Sequence, residues 1–148
     1  MAKTSRANII LVGFMGTGKT TIGRLLAKKL GMKFLDMDDV IVARTGKPIP
    51  RIFAEDGEPR FRTLERELVQ ELSAQNGLVV ATGGGIVLNP DNIRDFSRTG
   101  LVVCLTATLD AILARVGADA NRPLLAGDDK RQKAEKLLAT RRTLYAAI

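Results

Sequence analysis

Glycines, a lysine and threonines are concentrated in one short segment near the start of the chain, ILVGFMGTGKTTIG, at residues 10–23. Their spacing matches the pattern G-x-x-x-x-G-K-[ST] at Gly13, Gly18, Lys19 and Thr20. Glycine allows positive φ and lets backbone N–H groups approach an anion closely. The lysine can reach the β and γ phosphates of a nucleotide, and the threonine hydroxyl can ligate Mg²⁺. The segment therefore predicts a nucleotide phosphate loop. The alternative is an ordinary glycine-containing turn followed by a helix-starting threonine.

Acidic residues end the next apolar run, KFLDMDD, at residues 33–39. Two carboxylates at the end of a strand can divide the work of phosphoryl transfer, because one can face Mg²⁺ through water while the other faces the acceptor hydroxyl. We assign these two functions to Asp36 and Asp38. The alternative role, a helix N-cap with favourable dipole interactions, is assigned to Asp39.

Three consecutive glycines, Gly83–Gly85, directly follow the apolar run LVVAT. Glycines in a row add no packing and cost conformational entropy, so they indicate close approach of the backbone to a ligand, with a plain flexible turn as the alternative. Many phosphate-loop proteins carry an acidic residue at this strand end to support Mg²⁺, and this chain has Thr82 followed by glycine instead. We expect Asp36 to take over part of that role.

The arginines that could bind an anion form two groups. Arg60, Arg62 and Arg66 lie in a helical pattern whose buried face is apolar, so most of them are expected to be solvated. Arg115 and Arg122 flank a segment of small residues that resembles a lid carrying a cation to the transferred phosphate. Residue types and spacing alone do not choose among these arginines.

Composition limits the function classes. The chain has 148 residues with 45% apolar content, which suits one domain with one core. It has no histidine, which excludes Ser-His-Asp hydrolysis, histidine-ligated zinc and imidazole acid–base chemistry. The net charge of +7 favours anionic partners, but aromatic residues are only 4% of the chain and the basic residues are dispersed. Small anionic substrates are therefore expected rather than nucleic acid.

The chain also lacks signals for export or membrane insertion. No apolar run approaches the ~20 residues that span a bilayer, and residues 1–13 have no secretory signal pattern, so a cytoplasmic protein without a membrane partner is expected. Cys104, the only cysteine, lies within LVVCLTA and is interpreted as a small buried hydrophobe rather than a reactive thiol.

These residues must be positioned by alternating strands and helices. Strands are predicted at 9–12, within KFLDMDD, at LVVAT and at LVVCL, the last of them covered on both faces. The first predicted helix runs from Thr20 to a C-cap at Gly31, the second from Asp39 to Thr45 with Gly46 as its end, and the third from Glu58 to Ala74. Further helices are predicted after an N-cap at Asn89, at TLDAILARV, and at the end of the chain through Tyr145. Pro48 and Pro50 predict a turn between the second and third helices. The alternation predicts a parallel α/β sheet with helices on both faces and ligands beyond the carboxyl ends of the strands.

Over nearly its whole length the sequence resembles the shikimate kinases. The segments GFMGTGKTTIGRLLAKKLG, FLDMDDVI, IFAEDGEPRFRTLE, ATGGGIV, RPLL and RRTLY occur in that family's order and spacing. The resemblance implies a P-loop NTPase-like fold similar to the nucleoside monophosphate kinases. It also implies transfer of the ATP γ-phosphoryl group to the 3-hydroxyl of shikimate, which gives shikimate 3-phosphate and ADP.

The resemblance also implies roles for individual residues, with catalytic parts for Lys19, Asp38 and Arg122. Mg²⁺ would be ligated by Thr20, with Asp36 helping through water. The residues implied for ATP are Met15, Gly16, Thr17, Gly18, Lys19, Thr20, Arg115 beside the adenine and Arg122 in a lid at about 117–127. Those implied for shikimate are Asp38 on the ring hydroxyls, Arg62 and Arg141 on the carboxylate, and Gly84 through its backbone.

The family usually continues for a further strand and helix, including a loop that borders the adenine, whereas this sequence stops at Ile148. We therefore expect a single P-loop kinase domain over 1–148 that lacks the usual C-terminal strand and helix. The expected partners are ATP, ADP and shikimate, with Mg²⁺ as cofactor, and the expected state is a monomer. A related kinase acting on gluconate or a nucleoside monophosphate is the alternative, and a nucleotide-binding switch or nucleic-acid module is a more distant one.

Overall fold

The computed structural model describes residues 6–13 and 18–106, together with the single positions 132, 136 and 139. Strands and helices alternate along this part of the chain. The strands are β1 (Asn8–Gly13), β2 (Lys33–Asp36), β3 (Leu78–Ala81) and β4 (Gly100–Leu105). The helices are α1 (Lys19–Leu30), α2 (Met37–Thr45), α3 (Ile49–Glu55), α4 (Glu58–Ser73) and α5 (Pro90–Thr99), with a short 3₁₀ helix at Ile86–Leu88.

The strands form one parallel sheet in the order β2-β3-β1-β4. In its register Leu11 lies beside Ala81, and Ala81 lies beside Asp36. The carboxyl ends of β1, β2 and β3 therefore meet at one edge, which we call the site rim. Because the strands are parallel, whatever follows each of them is delivered to this rim, as the sequence predicts.

Both faces of the central strand β1 are buried under helices. Ile10 and Val12 pack with apolar side chains of α2, α3, α4 and α5, whereas Leu11, which points to the opposite face, packs with Ala27 of α1. Full burial of such a side chain stabilises the fold by about 1.5–3 kcal/mol, so the two layers hold the sheet in place from both sides. The predicted α/β architecture is confirmed.

Several predicted helix ends are confirmed. Gly31 and Gly46 are the C-caps of α1 and α2 and both have left-handed backbone, with φ of 64° and 70°. The side chain of Asn89 accepts a hydrogen bond from the Asp91 backbone N–H at the start of α5. These positions depend on local backbone chemistry, which a sequence pattern can report.

The predicted start of α2 is wrong. The helix begins at Met37 and its N-cap is Asp36, whose carboxylate accepts from the backbone N–H groups of Asp38 and Asp39. Asp39 therefore does not cap this helix. The strand ends one residue before the helix starts, so the last strand residue is the one placed to cap.

The turn predicted at Pro48 and Pro50 is also wrong, since these residues open helix α3. Pro48 is its N-cap residue and Pro50 lies in the first turn. Backbone N–H groups in the first turn have no acceptor within the helix, so the N–H that proline lacks is not needed there. Ile49 and Ile52 then bury one side of this short helix in the core. Proline here starts a helix rather than interrupting one.

Strand β4 is less buried than predicted. Leu101 is 63% exposed, and the other residues of β4 are half-buried. Cys104 is half-buried, and burial raises the pKa of its thiol, which disfavours the reactive thiolate at neutral pH. No helix within the described part of the chain is long and apolar enough to cross a membrane.

The amino-terminal edge of the sheet, opposite the site rim, is closed by a buried side chain that the sequence analysis did not single out. The Asn8 amide donates to the Gln75 carbonyl at 2.8 Å and accepts from the Leu78 backbone N–H at 3.0 Å. Asn8 thereby joins β1 to the end of α4 and the start of β3. Its hydrogen bonds within the protein replace those that the amide forms with water in the unfolded chain.

Candidate active site

The phosphate loop is described at its two ends. Strand β1 ends at Gly13, and α1 begins at Lys19 directly after Gly18, whose backbone is left-handed with φ of 92°. That conformation strains any residue with a Cβ, which explains why glycine precedes the lysine. The Lys19 ammonium donates to the Gly13 carbonyl at 2.6 Å, so its charge lies across the mouth of the loop.

The hydroxyl and carboxylate predicted to serve Mg²⁺ are in direct contact. Thr20 Oγ1 donates to Asp36 Oδ2 at 2.7 Å, and Asp36 Oδ1 accepts from the Asp38 backbone N–H at 2.9 Å. Asp36 is thus held by α1 and by the start of α2 at once. Asp39, the neighbouring exposed acid, has its pKa raised by partial burial and by the Asp36 charge.

Two carboxylates approach the glycine turn, Gly83–Gly85, from the other side. A Cβ placed on Gly83 would lie 3.2 Å from Glu65 Oε2 and 3.3 Å from Asp38 Oδ1. Asp38 belongs to α2 and Glu65 to α4, so the turn brings together acids from separate helices. The glycine leaves room for these side chains of the protein itself, and not only for a ligand.

Arg62 lies against the last glycine of the turn. A Cβ on Gly85 would come within 2.6 Å of the Arg62 Cζ, well inside contact distance. The guanidinium also pairs with Glu65 at 3.2 Å and with Glu58 at 3.3 Å, and it stacks over the Phe61 ring at 5.2 Å. Ion pairs and stacking fix the orientation of the planar guanidinium before any substrate arrives.

Glu65 is a site residue that the sequence analysis missed. Its side chain is only 3% exposed and it forms an ion pair with Arg62. A signal was available, because Glu65 occupies a position of the apolar stripe of α4 formed by Phe61, Leu68 and Leu72. A carboxylate in a buried stripe needs a partner, and the arginine three residues earlier is in reach.

The expectation that most arginines of α4 are solvated is wrong. Arg60 is exposed, whereas the side chains of Arg62 and Arg66 are each 22% exposed and ion-paired. Arg66 donates to Asp95 at 2.6 Å and to Asn92 at 3.2 Å, both on α5. The helix buries more than an apolar stripe because α5 supplies polar partners for Arg66, while Glu58 and Glu65 of α4 itself pair with Arg62.

The structure thus places seven of the predicted site residues along the site rim, which are Gly18, Lys19, Thr20, Asp36, Asp38, Arg62 and Gly84, the last of them half-buried in the glycine turn. The remaining predicted site residues lie outside the described residues: Met15, Gly16, Thr17, Arg115, Arg122 and Arg141, together with the lid at 117–127. In the part that is described, no cluster of three or more histidine, cysteine, aspartate or glutamate side chains could hold a metal ion.

Comparison with known proteins decides the family. A sequence model of the shikimate kinases matches residues 15–148. The chain is 44% identical to a shikimate kinase of Thermodesulfovibrio yellowstonii, over 93% of this chain and 80% of that protein. It is 48% identical to one of Dechloromonas aromatica, over 97% of this chain and 78% of that one. The chain belongs to the shikimate kinase family.

Solved structures agree with this placement. The shikimate kinase of Acinetobacter baumannii in complex with shikimate superimposes with a TM-score of 0.92 at 44% identity, over 96% of this chain and 79% of that one. A gluconokinase from Sinorhizobium meliloti matches with a TM-score of 0.55 at only 15% identity, over 93% of this chain and 76% of that one. That second likeness shows the fold alone, so the gluconate alternative gains no support from it.

Proposed function

We propose that the site rim transfers the γ-phosphoryl group of ATP to the 3-hydroxyl of shikimate, with Asp38 and Arg62 holding the acceptor. That the chain is an ATP-dependent kinase of shikimate follows from its family. The observation that carries the residue roles is the placement of the Arg62 guanidinium against Gly85, on the same turn that Asp38 reaches at Gly83. A cation and a carboxylate therefore face one small space beside the phosphate loop.

On the phosphate side, Lys19 and the start of α1 provide the positive charge. Lys19 lies over the loop mouth, and the N-terminus of a helix attracts anions through its N–H groups and dipole. In this proposal a bound nucleotide takes the lysine from the Gly13 carbonyl, so that its ammonium neutralises the β and γ phosphates. The corresponding predictions for Met15, Gly16 and Thr17 stand on the resemblance alone.

The oxygen donors fit Mg²⁺. Thr20 Oγ1 and Asp36 Oδ2 are hard oxygen ligands 2.7 Å apart, and magnesium in kinases commonly takes few protein ligands, with waters and phosphates completing its shell. Thr20 would hold the ion directly and Asp36 through water. The ion would supply neutralisation of the charge that develops on the phosphoryl oxygens.

On the acceptor side, the roles follow from charge and geometry. Glu58 and Glu65 engage Nε and Nη1 of Arg62, which leaves N–H groups of the guanidinium for a substrate carboxylate. Asp38 would accept a hydrogen bond from the ring hydroxyl and orient it toward the phosphate. Phosphoryl transfer asks the protein mainly for such positioning and for charge stabilisation.

The remaining roles in the proposal concern residues outside the described part. Arg141 would join Arg62 on the carboxylate, Arg115 would border the adenine, and Arg122 would bring a cation to the phosphoryl group from the lid. A monomeric state, a cytoplasmic location and the lack of a nucleic-acid partner stay predictions.

A coupled assay of ADP release tests the proposal. Shikimate, gluconate and a nucleoside monophosphate are offered in turn with MgATP, and ADP release is expected with shikimate. Asp38→Asn should reduce kcat strongly, because the amide cannot accept and orient the hydroxyl as the carboxylate does, while Asp39→Asn is the matched control and should stay near wild type. Preference for another acceptor, or equal losses in the two variants, would contradict the assignment.

A further inference from the structure

The glycine turn is held at its far end by a buried amide that the proposed mechanism does not use. Asn92, in the first turn of α5, is 2% exposed, and its Nδ2 donates to the Ile86 carbonyl at 3.0 Å. The Ile86 backbone N–H in turn donates to the Gly83 carbonyl at 3.2 Å, which closes the turn around Gly84. Asn92 thus holds Ile86, the residue whose N–H closes the turn, in position.

The other end of the same amide reaches α4. Asn92 Oδ1 accepts from Arg66 Nη1 at 3.2 Å, and Arg66 also pairs with Asp95 at 2.6 Å. Arg66 lies one helical turn after Arg62, on the same side of α4. The segment that follows β3 therefore meets α4 at two points, Gly85 against Arg62 and Asn92 against Arg66.

We infer that Asn92 is a positioning residue for shikimate: its amide keeps the glycine turn in register with Arg62. The inference rests on the proposed roles of Arg62 and Gly84 in binding the acceptor. An asparagine is suited to this position because one side chain has to donate to a carbonyl and accept from an arginine. The phosphate-loop side of the rim makes no hydrogen bond with Asn92 among the described residues, so nucleotide binding should not depend on it.

Asn92→Asp separates the two hydrogen bonds. An aspartate keeps an acceptor for Arg66 but has no donor for the Ile86 carbonyl. We expect the KM for shikimate to rise about tenfold, the effect of one net hydrogen bond, with kcat and the KM for ATP within about twofold of wild type. Asn92→Leu, similar in shape and uncharged, should show the same split, which excludes an effect of the new charge alone.

Asp95→Asn is the matched control. It removes the ion pair between α4 and α5 and leaves the hydrogen bond from Asn92 to Ile86 in place. It should lower the melting temperature without changing the KM for shikimate. If Asp95→Asn raises this KM as much as Asn92→Asp does, the role is general packing of α5 and the inference is overturned.

A second measurement does not depend on turnover. Amide hydrogen exchange of residues 83–88 should accelerate in Asn92→Asp, because the turn loses its fixed end, while exchange in β1 stays unchanged. Unchanged exchange in a folded variant would overturn the inference. If exchange in residues 83–88 is faster in Asn92→Asp than in wild type but wild type shows no shikimate-dependent turnover, the proposed acceptor fails while the positioning of the turn by Asn92 still stands.

Discussion

Replacing Gly85 by alanine should disable the acceptor site without unfolding the protein. Gly85 has φ of −94°, which alanine adopts without strain, so the only consequence is the added Cβ. That atom would lie 2.6 Å from Arg62 Cζ, where ordinary contacts begin at 3.4 Å. The guanidinium has to move, and a displacement of about 1 Å in a binding group is enough to reduce catalysis about a hundredfold.

The magnitude can be bounded from the interaction that is lost. A hydrogen bond to a charged group contributes about 1.5–3 kcal/mol, so displacing Arg62 from the substrate carboxylate should lower kcat/KM for shikimate by roughly ten- to 150-fold. Some stability should be lost as well, because the displaced guanidinium weakens its ion pair with the buried Glu65, but the far end of a long side chain can shift and the protein should stay folded. A Gly→Ala change at an unstrained position also stabilises the folded protein by about 0.4–1 kcal/mol, because it lowers the conformational entropy of the unfolded chain.

Steady-state kinetics with shikimate and ATP varied in turn provide the assay, and a double-mutant cycle with Arg62→Ala isolates the cause. On the Arg62→Ala background, Gly85→Ala should cost almost nothing further, because the side chain that it displaces is gone. Gly31→Ala is the contrasting control: its φ of 64° strains alanine and its surroundings are open, so it should reduce stability and leave kinetics unchanged. A loss from Gly85→Ala that is equal with and without Arg62 would refute the reasoning.

Other substitutions test the remaining parts of the site. Arg62→Lys should raise the KM for shikimate about tenfold with kcat nearly unchanged, because a point charge replaces a bidentate fork. Arg122→Ala should lower kcat instead. The reverse pattern would mean that the roles of these two arginines are exchanged. Thr20→Val should raise the Mg²⁺ concentration for half-maximal rate about tenfold, and a magnesium titration that matches wild type would remove this residue from the metal site. The hydrogen bond from Arg66 lowers the pKa of Asp95, so its carboxylate stabilises the fold above pH 3.8 and this contribution is lost as the pH falls through the lowered pKa. Denaturant unfolding of Asp95→Asn should therefore differ most from wild type near neutral pH and converge with it in acid, and a constant difference would contradict the ion pair.

Much of the fold could be predicted from the sequence because its signals are local. The left-handed backbone at Gly18, Gly31 and Gly46 involves only the residues beside each glycine, and a pattern of residue types reports it directly. The apolar runs likewise predict parallel strands, and parallel strands deliver their carboxyl ends to one rim wherever the helices lie. The rim could thus be located before the structure, and the family could be named.

Local signals were insufficient where two local solutions compete. Asp36 and Asp39 are both suitable helix caps, and only the point at which β2 ends, fixed by its pairing with β3, decides in favour of Asp36. Pro50 is compatible with a turn or with the first turn of a helix. Burial of Ile49 and Ile52 against the core favours the helix.

The details of the acceptor site were decided by tertiary structure alone. Arg62 and Gly85 are separated by 23 positions, and nothing in their types predicts that one makes room for the other. Arg66 pairs with Asn92 and Asp95 because α5 packs beside α4, so an arginine that was expected to be solvated is partly buried and ion-paired. The sequence determined which elements form and at which edge the chemistry lies, because backbone propensity and periodicity act over a few residues. Which face of α4 meets the glycine turn depends on how distant elements pack, and that close packing exists only in the folded chain.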